Sequence, residues 1–321
     1  MATGRAAFPL TEAQEGLWYA QALDRANPIF NCGQYIELLG PLDVARFTRA
    51  FDAAVAQSPA LRLRFGMRGG APRQWLADAP PLLEVVDLSG ADRPEREALA
   101  RMQADSGRAV DLAAEQAGRF VLYLLGESRA FWYERIHHLA TDGFGIVLLT
   151  NRVGELYSAE ESGKAPSPFP ALEPVLEEDA AYRLSERRTA DAAFWQGEMR
   201  GLETVAGPAE GRAVTSARFD RARLDLPPAF CEALTSVSKA AGIGWPDALT
   251  VLSAAYFSRV SGVGERVYGL PFMARMGTKA ARVPCMWMNV LPYRCEPDED
   301  MPLSELLKTE AQRLGALRKH G

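Results

Sequence analysis

The sequence predicts an α+β protein made of two packed units, and three observations carry this prediction. The chain has 321 residues, about twice the size of an ordinary single domain. Segments with helical spacing of apolar residues are mixed with short strand-like runs, without regular βαβ alternation. A proline-rich stretch without periodicity, SGKAPSPFPALEP, separates two halves with a similar order of elements. We therefore assign residues 1–170 to the first unit and residues 171–321 to the second.

In the first unit, two helices have recognisable starts. Thr11 and Gln14 fit a capping box, in which a hydroxyl caps the helix and a Gln three residues later reaches back. Asp43 can cap a second helix, because apolar residues recur after it at helical spacing. The other elements predicted for this unit are strands at 33–40, 61–65, 119–126 and 130–138, and helices at 92–110 and 143–158.

The second unit repeats this mixture of helices and strands. Its predicted helices lie at 177–186, around 191–195, and at 228–241, 246–260 and 301–320. Its strand-like segments lie at 216–226, 266–272 and 286–294, and a loop is expected at 207–216.

The composition excludes several classes of function. With 48% hydrophobic and 24% charged residues, the chain reads as an ordinary globular protein. The net charge of -5 and the lack of a basic run argue against nucleic acid as a partner. There is neither a signal core nor an apolar run of about 18 residues, so we expect a cytoplasmic protein without a membrane partner. The four cysteines form no CxxC pair, so we expect free thiols and no metal site.

The stretch RIHHLATDGFG, residues 135–145, contains two of the three histidines in the chain. It falls where a predicted strand ends and a predicted helix begins. Because side chains alternate across a strand, His137 and His138 point to opposite faces, so only one can face a given cavity. His138 is the candidate reactive residue, since it adjoins the turn, where functional residues concentrate. His137 would then be structural.

The Asp142–Gly143 pair begins the helix that follows. A helix start presents free backbone N–H groups, which favour developing negative charge. A histidine beside it could take a proton from a nucleophile or hold that nucleophile in line. Two plainer readings stay open: Asp142 as a simple helix cap, and both histidines as satisfied structural residues. Zinc needs three or four ligands at one centre, which adjacent strand residues cannot supply. Neither a GxSxG elbow nor a phosphate-binding GxxxxGK[ST] loop is present.

Several motifs together resemble one family. HHLATDG fits the HHxxxDG pattern of the chloramphenicol acetyltransferase-like acyltransferases. LTEAQEGLWYAQ is similar to the AQxxLW opening motif of nonribosomal peptide synthetase condensation domains, and QSPALRLRF to their RHExLRTxF motif, with Arg62 and Phe65 kept. LEEDAAYRLSE, VYGLPFMARMG and MWMNVLPYR resemble later motifs, in the order of the family. The chain looks most like the domains that open synthetase subunits for catechol siderophores.

The resemblance implies a fold and a reaction. The fold would be a two-lobe, chloramphenicol acetyltransferase-like α/β sandwich shaped like a V, with a tunnel between the lobes. Donor and acceptor carrier proteins, peptidyl or aryl, would deliver thioesters on phosphopantetheine arms, with no cofactor bound by the domain itself. The acceptor amine would attack the donor thioester and form an amide. An adenylation domain would be the neighbour in the parent synthetase.

The same resemblance assigns roles residue by residue. His138 matches the key second histidine, and the family leaves open whether it acts as a general base or positions the amine. His137 and Asp142 match structural and orienting positions. Asp142 would be held by an arginine of the other lobe, with Arg275 as the first candidate and Arg62 as the second. The N–H of Gly143 would face the thioester oxygen.

The chain also departs from the family pattern. Gly145 stands where the family often has Ser, and Gln57-Ser58-Pro59 replaces the RHE start of the second motif. The double histidine disfavours heterocyclisation, which uses a DxxxxD pattern. The chain is shorter than a usual condensation domain, so we expect an incomplete second lobe with partly uncovered apolar faces. Two alternatives stay open: a free-standing amide synthase that uses a soluble amine, and a non-catalytic remnant that binds a carrier.

Overall fold

The computed structural model describes residues 6–202, 216, 222–262, 265–297 and 300–321. The chain divides into two compact units. The first consists of Met1–Ala181, Ser216–Arg218 and Arg275–Met288, and the second of Tyr182–Thr215, Phe219–Ala274 and Asn289–Gly321. The expected boundary at residue 170 therefore precedes the observed one, and two later segments return to the first unit. Both units mix helices with strands, in agreement with the predicted α+β class.

The strands and helices have the following bounds. The strands are β1 Phe8–Pro9, β2 Asn31–Leu39, β3 Leu63–Arg68, β4 Ala71–Leu76, β5 Leu83–Asp87, β6 Gly118–Gly126, β7 Arg129–His137, β8 Arg266–Phe272 and β9 Asn289–Cys295. The helices are α1 Glu12–Leu23, α2 Val44–Ala56, α3 Pro94–Ser106, α4 Gly143–Ser162, α5 Glu173–Arg183, α6 Glu186–Glu198, α7 Pro228–Ala241, α8 Trp245–Ser261 and α9 Leu303–Lys319.

The main sheet of the first unit has the order β2-β7-β6-β5. Strand β7 runs antiparallel to both of its neighbours, and β5 runs parallel to β6. Side chains of β7 alternate as predicted: Trp132 and Ile136 belong to the large apolar core that also contains α2 and α4, while Tyr133 belongs to a separate cluster with α3. The central strand is thus covered on both faces, and only its end is left for chemistry.

A smaller sheet, β1-β4-β3, also belongs to the first unit. Its hairpin turns at Gly69 and Gly70, which both have positive φ, 60° and 78°, as a tight hairpin requires. The strand predicted at 61–65 begins two residues late, because Pro59–Arg62 forms a 3₁₀ turn first. Pro59 at the first turn position fixes φ and favours that turn.

In the second unit, helices α7 and α8 pack with α9 and with the antiparallel pair β8–β9. Its core includes Tyr293, Leu307 and Leu314. The predicted bounds of α7 and β8 match the observed ones. The strand predicted at 216–226 and the loop at 207–216 fall mostly outside the described residues, and 222–226 has no regular structure. None of the helices that the structure describes has the length and apolarity that a bilayer crossing needs.

Candidate active site

The histidine pair lies at the end of the central strand. Strand β7 ends at His137, whose backbone N–H donates to the carbonyl of Ala117 at 2.8 Å. The next residue, His138, donates its backbone N–H to the carbonyl of Phe30, also at 2.8 Å. Hydrogen bonds to two other segments therefore fix the backbone at both histidines, and the two side chains point in different directions.

His137 is buried and fully engaged. Its Nδ1 accepts the backbone N–H of Leu139 at 3.2 Å, and its Nε2 lies 3.2 Å from Oε1 of Gln21. Burial, with smaller contributions from His138 and Arg135, lowers the pKa of His137 to about 3. The ring therefore stays neutral at physiological pH and has no free nitrogen for chemistry.

His138 is half-buried. Its Nδ1 lies 3.3 Å from the sulfur of Met286, a buried residue of the segment Arg275–Met288. Its Nε2 has no hydrogen-bond partner among the described residues. Of the two adjacent rings, His138 is the one with a nitrogen available to a substrate.

The loop at residues 138–142 joins β7 to α4. Asp142 receives the most hydrogen bonds of any side chain in this loop. Its two oxygens receive five hydrogen bonds of 2.8–3.1 Å, from the side chain of Arg275 (two) and from the backbone N–H groups of Gly145, Trp287 and Met288. The side chains of Asp142 and Arg275 are 1% and 4% exposed. A carboxylate bonded in this way has no free lone pair to act as a base, so it fixes the loop.

Arg275 is anchored as firmly as its partner. Beyond Asp142, its guanidinium donates to the carbonyls of Ala280, Val283 and Cys285. The ion pair was expected to join the two lobes, but the structure differs: Arg275 lies in the segment that belongs to the first unit. Arg62, the second candidate, is not among the groups that bond to Asp142; its carbonyl accepts the N–H of Ala77.

The start of helix α4 completes the loop. Asp142 caps the helix through Gly145, and the N–H of Gly143 has no partner among the residues described. Gly143 is exposed, and a Cβ at this position would meet nothing within 4 Å. A free N–H beside open space can approach an anionic oxygen closely.

Gly145 has a different environment. A Cβ here would lie 2.1 Å from Oγ1 of Thr141 and 3.2 Å from the backbone N and O of Cys285. The hydroxyl of Thr141 therefore occupies the space that a serine at position 145 would need. This packing explains why the chain carries glycine where the family often has serine.

Helix α1 supports the loop, although it lies more than 100 residues earlier in the chain. Nε2 of Gln14 donates to the carbonyl of Leu139 at 2.9 Å, while Gln21 contacts His137. Gln14 and Gln21 lie seven residues apart, or about two helical turns, on one face of α1. That spacing was the only sequence signal for this role.

The cysteine thiols near the loop have low reactivity. Burial raises the pKa of Cys285 to about 12 and that of Cys32 to about 11, so neither thiol forms the nucleophilic thiolate readily. Within the described ranges, no three His, Cys, Asp or Glu side chains are grouped to hold a metal. Among the described residues, the arrangement provides one available imidazole nitrogen, the unpartnered N–H of Gly143 at a helix start, and the buried ion pair of Asp142 and Arg275. It can bind and activate a nucleophile that a substrate brings.

Comparison with known proteins shows the family of the chain. A family model for the condensation domain matches residues 5–321. A dimodular nonribosomal peptide synthase of Bacillus subtilis is 36% identical over 98% of this chain, which spans 13% of that protein. Enterobactin synthase component F of Escherichia coli O157:H7 is 33% identical, over 98% of this chain and 25% of that protein. The chain thus spans a quarter or less of the length of these relatives.

Solved structures agree in fold. The first condensation domain of the calcium-dependent antibiotic synthetase, in complex with a substrate analogue, has 30% identity and a TM-score of 0.86, over 98% of this chain and 76% of that one. The condensation enzyme VibH has 29% identity and a TM-score of 0.81, over 97% and 73% of the two chains. On the sequence match and the shared fold, this chain belongs to the condensation domain family of nonribosomal peptide synthetases.

Proposed function

We propose that the chain forms an amide bond between an acyl or aminoacyl thioester donor and an aminoacyl acceptor, both carried on phosphopantetheine arms. The observation that carries the proposal is the division of work at the end of β7, where His138 keeps an available nitrogen while His137 and Asp142 are fully bonded. Donor and acceptor carrier proteins and an adjacent adenylation domain are the proposed partners. Support for these partners comes from the multidomain relatives.

The proposed reaction uses groups brought by the substrates. The amine nitrogen of the acceptor attacks the thioester carbonyl, and a C–N bond forms while the carbonyl oxygen becomes an oxyanion. The N–H of Gly143 is the proposed donor to that oxygen, and its open surroundings allow this approach. The carbonyl then re-forms, the C–S bond breaks, and the proton lost by the amine ends on the thiol. His138 either carries this proton or orients the amine, and the role of Asp142 and Arg275 is to hold the loop.

The test is a reconstituted reaction with loaded donor and acceptor carriers. Replacing His138 with Ala should lower amide formation by about 100-fold or more, the size expected for loss of a positioned acid–base group. Equal product from the wild type and the variant would contradict the role of His138. Circular dichroism of both proteins would control for folding.

A free amine offered in place of the loaded acceptor carrier separates the proposed function from its main alternative. A carrier-dependent domain should make much less product with the free amine, whereas a free-standing amide synthase should use it equally well. A non-catalytic remnant would bind a carrier and form no product in either reaction.

A further inference from the structure

This inference rests on the proposed function and concerns where the two histidines carry their ring protons. We infer that Met286 is a positioning residue that holds His138 in the tautomer with its proton on Nδ1, so that Nε2 is the acceptor presented to the substrate amine. The pair His137–His138 would then hold opposite tautomers, and only one of them suits the reaction.

The chemistry of sulfur decides the tautomer of His138. A thioether sulfur has lone pairs but no proton, so it accepts hydrogen bonds and never donates one. The 3.3 Å contact between Nδ1 and the sulfur of Met286 is therefore a hydrogen bond only when Nδ1 is protonated. In the other tautomer, two lone pairs would face each other at that distance. Met286 is 4% exposed, so water has little access to bridge the two atoms.

His137 provides the opposite case. A backbone N–H only donates, so the N–H of Leu139 requires an unprotonated Nδ1 on His137. The proton of His137 is then on Nε2, where it is donated to Oε1 of Gln21. The protein therefore uses the lone pair of His137 for structure and leaves the lone pair of His138 on Nε2, which has no partner in the described part of the chain.

The tautomer of His138 matters for either proposed role. An attacking amine must keep its own lone pair free for the carbonyl carbon, so it meets the histidine through an N–H and needs an acceptor there. A bare Nε2 meets this need, both for orienting the amine and for taking its proton. A protonated Nε2 would instead donate to the amine lone pair and block attack. When Nε2 takes a proton, the bond from Nδ1 to sulfur is kept, so the ring need not move.

The experiment compares Met286→Leu with the wild-type chain. Leucine removes the acceptor and nearly conserves the volume, so packing changes little. Nitrogen-15 NMR of the labelled imidazole rings distinguishes the two tautomers. In the wild type, we expect His138 to carry its ring proton on Nδ1 and His137 to carry its ring proton on Nε2. In the variant, His138 should move toward Nε2–H while His137 is unchanged. The rate constant kcat should fall by about 2- to 10-fold, the effect of losing one modest hydrogen bond, with KM for the loaded acceptor unchanged.

Two controls separate positioning from packing. Met102→Leu makes the same change in helix α3 at a residue that is similarly buried, with 5% exposed, and should alter neither the tautomers nor the rate. Selenomethionine keeps an acceptor at position 286 and should leave the tautomers and the rate as in the wild type. A wild-type His138 on Nε2–H would overturn the inference, and so would a tautomer unchanged in Met286→Leu, whatever the rate. If the wild type forms no amide, the proposed function fails, while the NMR result still tests the tautomers.

Discussion

Strand β7 has a buried acid in its middle and leads to another just beyond its end, and the protein treats the two in opposite ways. Asp142, beyond the end, receives five hydrogen bonds, two of them from Arg275. Glu134, in the middle, receives bonds from Gln34 and Thr150 on a single oxygen. The other oxygen, Oε1, is buried with no partner in the part of the chain described.

The difference shows which acid fixes the backbone beside the histidines. Asp142 is neutralised by a cation and tied to three backbone groups, so it behaves as part of the loop framework. In the described part of the chain no Lys or Arg side chain pairs with Glu134, and burial raises its pKa to about 7. Its side chain lies on the face of β7 that packs against α4, where Thr150 is its partner. The end of the strand is thus followed by a buried ion pair, and its middle carries a buried acid whose pKa is raised to about 7.

The largest expected effect comes from breaking the ion pair of Asp142 and Arg275. Asp142→Ala should lower the free energy of unfolding by about 3–5 kcal/mol, because it leaves Arg275 buried without its anion. Urea denaturation followed by circular dichroism measures this change. The double variant Asp142→Ala/Arg275→Met should be more stable than Asp142→Ala alone, since it removes the unpaired cation. A loss of stability below about 1 kcal/mol in the single variant would argue against a stabilising role for the ion pair.

The next effect is a pH dependence set by Glu134. The pKa of Glu134 is raised on folding from 4.5 to about 7, so its favourable contribution to stability is complete below about pH 4.5. That contribution falls as pH rises and is lost by about pH 7. Glu134→Gln keeps an acceptor for Gln34 and Thr150 and removes the titration. As the pH rises from 4.5 to 8, the free energy of unfolding of this variant should increase by up to roughly 3 kcal/mol relative to that of the wild type.

Urea titrations at several pH values measure that gain. Glu127→Gln makes the same change of charge at an exposed turn between β6 and β7 and serves as the control. Parallel pH profiles for the wild type and Glu134→Gln would show that Glu134 does not titrate in this range.

The smallest expected effect concerns packing beside Asp142. Gly145→Ser should destabilise the chain by about 1–3 kcal/mol, because its Cβ would collide with the hydroxyl of Thr141. Thr141→Ala removes that hydroxyl and should recover part of the loss, while the close backbone of Cys285 limits recovery. A double-mutant cycle measures the coupling. Additive effects of the two substitutions would mean that Thr141 does not fill the space.

Local chemistry accounts for the elements that the sequence predicted. Thr11 and Gln14 form the expected capping box, and Asp43 caps α2 through the N–H of Arg46. The alternation along β7 follows from strand geometry alone. Strand β4 was missed, although the Gly69–Gly70 turn before it was a readable signal. Strand β5 was missed because it is short and pairs in parallel with β6, far along the chain.

The site could be predicted only in part. The histidines and Asp142 stand in one contiguous motif, and Arg275 came from a family resemblance. Met286 and Gln21 could not be foreseen, because each meets its histidine across more than 100 residues of sequence. The backbone donors of Trp287 and Met288 carry no side-chain signal at all.

The return of Arg275–Met288 to the first unit has a consequence for synthesis on the ribosome. Asp142 and Arg275 are 133 residues apart in sequence. At a translation rate of about 5–20 residues per second, roughly ten seconds pass between the emergence of the acid and that of its cation. The sheet around β7 is synthesised well before that moment, but the loop at its end cannot take its final form. A nascent chain therefore carries the histidine loop without its ion pair until most of the second unit has been made.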